Sequence, residues 1–263
     1  MAHRFIEDSG YAREGFAALY DTHRPRPPAI LLETLCRIAA TDRPALVVDL
    51  GTGTGLSARA WSERAAQVVG VEANEAMVAE ARRVTTAANV AYVSGFAHET
   101  GLDEACADII TCSQSLHWME PQPTLAEVGR ILRPRGVFAA YDYDPAPLVE
   151  VEVDAAWDEY LRRRREARER RGIPSGGDVW PKREHLDRMR ASGRFRHCRE
   201  IALHAVVPGT ASSLVGFARS IGLSGDATEE ELGIPELETT AHRVLGDREV
   251  PFLWSYRVRY GVK

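Results

Sequence analysis

Cysteine is scarce, and Cys36, Cys106, Cys112 and Cys198 form no CxxC pair. Neither a disulfide framework nor a thiolate zinc site is indicated, and a reducing compartment suits such a chain, so the expected location is the cytoplasm. No apolar run approaches the ~20 residues of a membrane-spanning helix. The first residues place His3, Arg4, Glu7 and Asp8 where a secretory leader needs an apolar segment. Positive charge is not in excess: 33 Lys and Arg stand against 38 Asp and Glu, a formal net charge of -5. Nothing global therefore attracts phosphate backbones or anionic lipid, and neither nucleic acid nor membrane is an expected partner. Carboxylates do not converge as a hard cation requires, so no metal is expected. Internal repeats are also missing. What is there is 263 residues with 44% hydrophobic and 27% charged side chains, the balance of a soluble globular protein with a substantial core.

The order of patterns is informative. Residues 26–40 place Ile30, Leu31, Leu35 and Ile38 on one helical face after Pro27 and Pro28. Pro44–Gly51 is a short apolar β-branched run ending in glycine, as a fully buried parallel strand should be. A helix over 56–66, a strand over Gln67–Glu72 and a helix over Asn74–Arg83 capped by Asn74 follow. Val90–Val93, Asp108–Cys112 and Gly136–Tyr141 read as further strands, the last introduced by a turn at Arg133–Gly136. Beyond Pro145 a long charged helix (about 150–171), a Gly/Pro-rich loop and a helix over 182–191 break the alternation. Cys198–Val207 and Phe252–Tyr260 return to strand character around helical stretches at 211–221 and 229–245. Phe252, Trp254, Tyr256, Val258 and Tyr260 alternate with other residues, which points to an antiparallel partner. The expected fold is α/β: a doubly wound, Rossmann-like, mostly parallel seven-stranded sheet with an antiparallel last strand and a helical cap. Residues 1–142 would hold the cover helices and core, 143–195 a cap or lid, and 196–263 the last two strands with further cap helices.

Chemistry concentrates in VVDLGTGTG, Val47–Gly55, where a strand runs into Gly51, Gly53 and Gly55. Alternate glycines permit a tight turn and close approach of a ligand to the backbone, and the next helix offers unpaired amides. A dinucleotide fingerprint needs glycine at the sixth position, but Leu56 stands there, which disfavours NAD and FAD. Glu72 ends the second strand, where a carboxylate can accept two hydrogen bonds from a ribose diol. SQSLHW, Ser113–Trp118, follows the fourth strand, at the sheet end where ligands bind. Trp118 is a donor only and suits an anionic oxygen; His117 is a base, a substrate-orienting group, or packing beneath a cap. Tyr11, Phe16, Tyr20 and Arg24 recur at near-helical spacing ahead of the core.

These motifs, with ALYDTHRPRPP, VVGVEANEAM, SGFAHETGL and ILRPRGVFAAYD, resemble the class I S-adenosylmethionine-dependent methyltransferases of the small-molecule type, in the trans-aconitate methyltransferase-like branch. The resemblance implies S-adenosyl-L-methionine as cofactor. It places Gly51, Thr52, Gly53 and Gly55 around the methionine part, Asp49 at its amino group and Glu72 at the ribose hydroxyls. Ala73 and Met77 would lie beside the adenine, Ala97 near its Watson–Crick edge and the Ser113 carbonyl near the amino group. Tyr20 and Arg24, in a YxxxRP pattern, would lie near the methionine carboxylate or the substrate. One departure stands out: Phe96 occupies the place of the Asp that receives the adenine amino group, and it can only pack there. The segment of His117 and Trp118 would face the transferred methyl, much as a similar SLHW faces the substrate in plant carboxyl methyltransferases.

The basic run Leu161–Arg171 has Glu166 and Glu169 interleaved and no aromatic platform, so it reads as a solvated helix face. The loop at Gly172–Pro181 has the composition of a lid. The expected activity is transfer of a methyl group to a small molecule, by O-methylation, with a carboxylate as one acceptor. C- or N-methylation, a non-catalytic cofactor-binding module and a nicotinamide oxidoreductase are the alternatives, and the chain is expected as a monomer or homodimer.

Overall fold

Why the glycine loop sits at a sheet end follows from the order of the strands. The computed structural model describes residues 15–173, 180–221 and 226–263. Leu46–Leu50 (β1) pairs in parallel with Gln67–Glu72 (β2) on one side and Ala107–Ser113 (β4) on the other; Val90–Ser94 (β3) lies outside β2, and Leu132–Tyr143 (β5) outside β4. With His197–Gly209 (β6) and Val250–Val262 (β7) the described residues form a seven-stranded sheet in the order β3-β2-β1-β4-β5-β7-β6. The order reverses between β1 and β4, the switch point where ligands bind in such sheets. β7 runs antiparallel to β5, from Val137 opposite Val262 to Tyr143 opposite Tyr256, as its alternating residues predict. Val47, Val48 and Leu50 are fully buried, which is why β1 reads as a continuous apolar run.

The helices among the described residues are Phe16–His23 (α1) and Ala29–Ile38 (α2) ahead of β1, Leu56–Ala60 (α3) after it, Glu75–Val84 (α4) after β2 and Pro121–Ile131 (α5) before β5. Val151–Arg170 (α6) and His185–Ala191 (α7) lie between β5 and β6; Ala211–Ser220 (α8), Glu229–Leu232 (α9) and Ile234–Leu245 (α10) lie between β6 and β7. Several boundaries differ from the sequence reading. α3 stops at Ala60, because the chain turns so that Asn89 Nδ2 reaches the carbonyls of Ser62 (2.8 Å) and Ala65 (3.2 Å). The stretch 229–245 is two helices meeting at Gly233, where Pro235 in the first turn of α10 has no N–H to continue a preceding helix. β5 already begins at Leu132: the expected turn at Arg133–Gly136 is an irregularity inside the strand, with a register shift opposite Ala107 and Ile109 and with Arg135 at φ 67. Residues 182–191 open with a 3-10 turn, Lys182–Glu184, before α7.

Two compact units divide the chain: the described parts of 1–24, 144–177 and 204–255 in one, and 25–143, 178–203 and 256–263 in the other. The first is mainly helical. Its core stacks Trp157 on Phe217 at 5.3 Å and sets Phe217 edge-on to Trp254 at 5.1 Å. The second holds the parallel strands, whose buried Val48, Leu50, Ile110 and Phe138 pack with Leu125, Val128 and Ile131 of α5. No described helix is long and apolar enough to cross a membrane.

Candidate functional site

The carboxyl end of β1 turns into the glycine loop because the Gly51 and Thr52 amides both donate to the Val71 carbonyl of β2, at 2.8 and 3.1 Å. Gly51 has φ 63, and a Cβ there would stand 2.6 Å from Met119 Cε and 2.7 Å from Ser115 Cβ. Glycine is thus required by left-handed backbone and by close packing of the segment after β4. Gly53 also has positive φ, 57, but nothing lies within 4 Å of where its Cβ would be. That open side is what a loop needs for a ligand to approach its backbone. The Gly53 amide donates to Glu72 Oε2 and the Asn74 amide to Glu72 Oε1, both at 2.9 Å, which ties the loop to the end of β2. Burial pushes the Glu72 carboxyl above its ordinary range, partly offset by these backbone bonds. Asn74 then caps α4, accepting from Ala76 and Met77 amides.

Asp49 is fully buried, yet its carboxylate has three hydroxyl donors: Thr111 at 2.6 Å, Thr52 at 2.7 Å and Ser57 at 3.0 Å. Ser57 in turn pairs with Tyr141 Oη at 2.6 Å. Burial raises the Asp49 pKa to about 6 against the pull of those bonds. Thr52 therefore turns its side chain to Asp49. Sequence reasoning misses Ser57, Thr111 and Tyr141; for the last two the available signal is a polar side chain inside the apolar stretches IITC and FAAY.

The SQSLHW segment is anchored to the same place. Ser115 Oγ donates to the Leu50 carbonyl at 2.7 Å. Gln114 sits at φ 53, uncommon for a residue with a side chain, its amide bonded to the Tyr141 carbonyl at 3.0 Å. Leu116–Trp118 makes one 3-10 turn, with the His117 and Trp118 rings 5.1 Å apart. His117 is buried, with Nδ1 4.0 Å from Asp142 Oδ1. Burial, then the nearby Lys182 ammonium, holds its pKa well below the usual imidazole value, so it is neutral at pH 7.

Asp49, Gly51, Thr52, Gly53, Gly55, Glu72, Ala73, Met77, Phe96, Ala97, Ser113, His117 and Trp118 all belong to the sheet unit. Within it, direct bonds or close packing link the glycine loop to Asp49, to Glu72 and to the segment after β4. Met77 is buried, Ala73 half-buried, and the Phe96 ring stacks on His98 at 5.5 Å. Tyr20 and Arg24 belong to the helical unit. There the Arg24 guanidinium lies over Tyr20 (4.8 Å) and Phe217 (5.2 Å), and Nη2 donates to the Ser220 carbonyl at 2.8 Å. Tyr11 and all but the ends of the loop 172–181 lie outside the described residues.

A glycine cradle, a buried Asp on β1 and an acid ending β2, at the switch point of this strand order, define the class I methyltransferase architecture. Comparison with known proteins agrees. The family model described as a methyltransferase domain matches residues 48–140. Residues 48–140 are therefore a methyltransferase domain. An uncharacterised methyltransferase of Mycobacterium tuberculosis is 34% identical over 117 residues, 44% of this chain and 46% of that protein. A malonyl-[acyl-carrier protein] O-methyltransferase of Pectobacterium atrosepticum is 33% identical over 94 residues, 35% of this chain and 36% of that protein. The matches thus span about half or less of either curated relative. A candidate type II methyltransferase structure from Anaeromyxobacter dehalogenans superposes with a TM-score of 0.67 at 23% identity, covering 91% of this chain and 97% of that one, which shows the shared fold.

Proposed function

We propose that the chain transfers the methyl group of S-adenosylmethionine to a small-molecule acceptor by O-methylation, with a carboxylate as the acceptor the site suits. The observation that carries this reading is the Ser115 anchor, which sets the cofactor cradle and the SQSLHW turn against each other at one end of the sheet. When bound, S-adenosylmethionine supplies an electrophilic methyl on a sulfonium, so the protein has chiefly to align the partners and exclude water. Glu72 retains lone pairs for the ribose hydroxyls beyond the two used by Gly53 and Asn74. The open side of Gly53 admits the methionine portion, and Asp49, oriented by three hydroxyls, accepts from its amino group. Ala73, Met77, Phe96, Ala97 and the Ser113 carbonyl surround the adenine. Trp118 donates its ring N–H to an acceptor oxygen. A carboxylate acceptor is already ionised at neutral pH, which suits the weak base that a buried, neutral His117 would make. The O-methyltransferase of P. atrosepticum lends precedent over about a third of the chain.

Two variants test the two halves of the reading. Glu72→Ala, folded, should lose about tenfold or more in S-adenosylhomocysteine affinity by calorimetry, from charge-assisted bonds worth ~1.5–3 kcal/mol. Unchanged affinity rejects the ribose assignment. Trp118→Phe keeps aromatic volume but removes the donor, so turnover of an acceptor identified by mass spectrometry should fall several-fold with cofactor affinity retained. Unchanged turnover makes Trp118 packing.

A further inference from the structure

A charged cluster at the carboxyl ends of β4 and β5 is left unused by this reading. Its centre is Asp142, buried, whose Oδ2 accepts from Arg259 Nη1 at 2.8 Å. Arg259 also reaches Glu200 through Nε at 2.7 Å, and Arg257 approaches Glu200 at 3.9 Å. Lys182 Nζ lies 3.0 Å from Asp142 Oδ1 and 2.7 Å from Gln114 Oε1. Among these groups two carboxylates meet three cations. Arg259 already neutralises Asp142 from within the core, its side chain 5% exposed, whereas that of Lys182 is 30% exposed. Lys182 is therefore the cation that can change partners without leaving Asp142 buried and unpaired.

Its position is built by bonds on both sides. Gln114 opens the SQSLHW turn, and its own amide group donates to the Tyr143 carbonyl at 3.2 Å. The Trp180 amide donates to the His117 carbonyl at 3.0 Å. Arg188 lies over the Trp180 ring at 5.3 Å, donates to the Pro181 carbonyl at 3.2 Å and pairs with Glu184. The ammonium is thus held beside the turn that carries His117 and Trp118. The neighbouring imidazoles cannot supply positive charge: His117 is neutral, and burial lowers His185 to about 4. His185 is itself buried, with no hydrogen-bond partner for Nε2 among the described residues.

We propose that Lys182 recognises an anionic group of the methyl acceptor, a carboxylate or a phosphate, by moving from Asp142 to the acceptor oxygen while Arg259 keeps Asp142 paired. This rests on the reading that the acceptor binds beside Trp118. The cluster adds a dedicated cation to the Trp118 donor, and a charge-assisted bond is about twice as strong as a neutral one.

The test uses the full chain saturated with S-adenosylhomocysteine and three probes of similar shape: benzoate, phenyl phosphate and uncharged benzamide. Binding is followed by tryptophan fluorescence and calorimetry. At least one anion should bind the wild-type complex, with benzamide much weaker. Lys182→Gln should weaken the anion about tenfold or more, Lys182→Arg should restore most of the affinity, and S-adenosylhomocysteine should bind all three proteins alike. Preference for benzoate supports Lys182 and the carboxylate reading together; preference for phenyl phosphate keeps the role of Lys182 and rejects carboxylate O-methylation. Equal anion affinity in Lys182→Gln, benzamide binding as well as the anions, or no anion binding to the wild-type complex overturns the proposal. So does loss of S-adenosylhomocysteine affinity in Lys182→Gln that arginine does not restore, since that marks a structural strut.

Discussion

Asp49 shows what burial does to the charge of a carboxylate. Burial lifts its pKa from 3.8 to about 6, so between those values the folded chain keeps a proton that the unfolded chain releases. Its contribution to stability is therefore greatest in acid and falls as pH rises from about 4 to 6. On the proposed reading cofactor binding runs the other way, because the cationic amino group would need the carboxylate. S-adenosylhomocysteine affinity should fall about tenfold from pH 7 to pH 5, with proton release on binding at the acid end. Calorimetry across that range checks it, and Asp49→Asn should bind more weakly with a flatter profile. Gly53 makes the complementary point: its open side leaves room for a methyl group, but φ 57 makes one costly, so geometry and ligand access favour the same residue.

At the level of the element, caps and turns place the site residues. Asn74 accepts from the Ala76 amide at 3.0 Å and the Met77 amide at 3.2 Å, and so starts α4 directly after the Glu72 carboxylate. Asn74→Ala should cost ~1 kcal/mol in urea unfolding, the usual loss for an N-cap. An unchanged midpoint would show the helix start to be held by tertiary packing alone. The segment after β4 is positioned differently, by left-handed Gln114 and by Ser115 bonded to β1, so it depends on the sheet behind it.

Across the whole molecule, charge is compensated locally. In the basic run of α6, Arg162 pairs with Glu159 and Glu166, Arg163 with Glu159 and Glu236, Arg170 with Glu231, and Arg171 with Glu231 and Asp226. Such exposed or half-buried pairs add little stability, but they cancel the field a nucleic acid would follow. With a net charge of -5, the protein should not retard a random-sequence duplex in a mobility-shift assay at physiological salt, where a free arginine face would. A retarded complex that dissolves as salt is raised would show that the acids release the run.

The residues that were legible in the sequence act through neighbours close along the chain or at the end of an adjacent strand. VVDLGTGTG carries its own turn, Asn74 caps the helix it begins, and buried parallel strands announce themselves by continuous apolar runs. The seven strands, their mostly parallel order and the antiparallel β7 follow from those patterns. Folding alone decided the rest, because it joins residues with no local signature. Asp142 meets Arg259 across 117 residues, and Gln114 meets Lys182 across 68. Periodicity reports which face of an element is apolar; it does not report which charge waits on another strand. The Asp142 cluster, the hydroxyl shell of Asp49 and the grouping of 180–203 with the sheet unit exist only once distant strands and turns have been brought together, since a buried charge must find its partner in space.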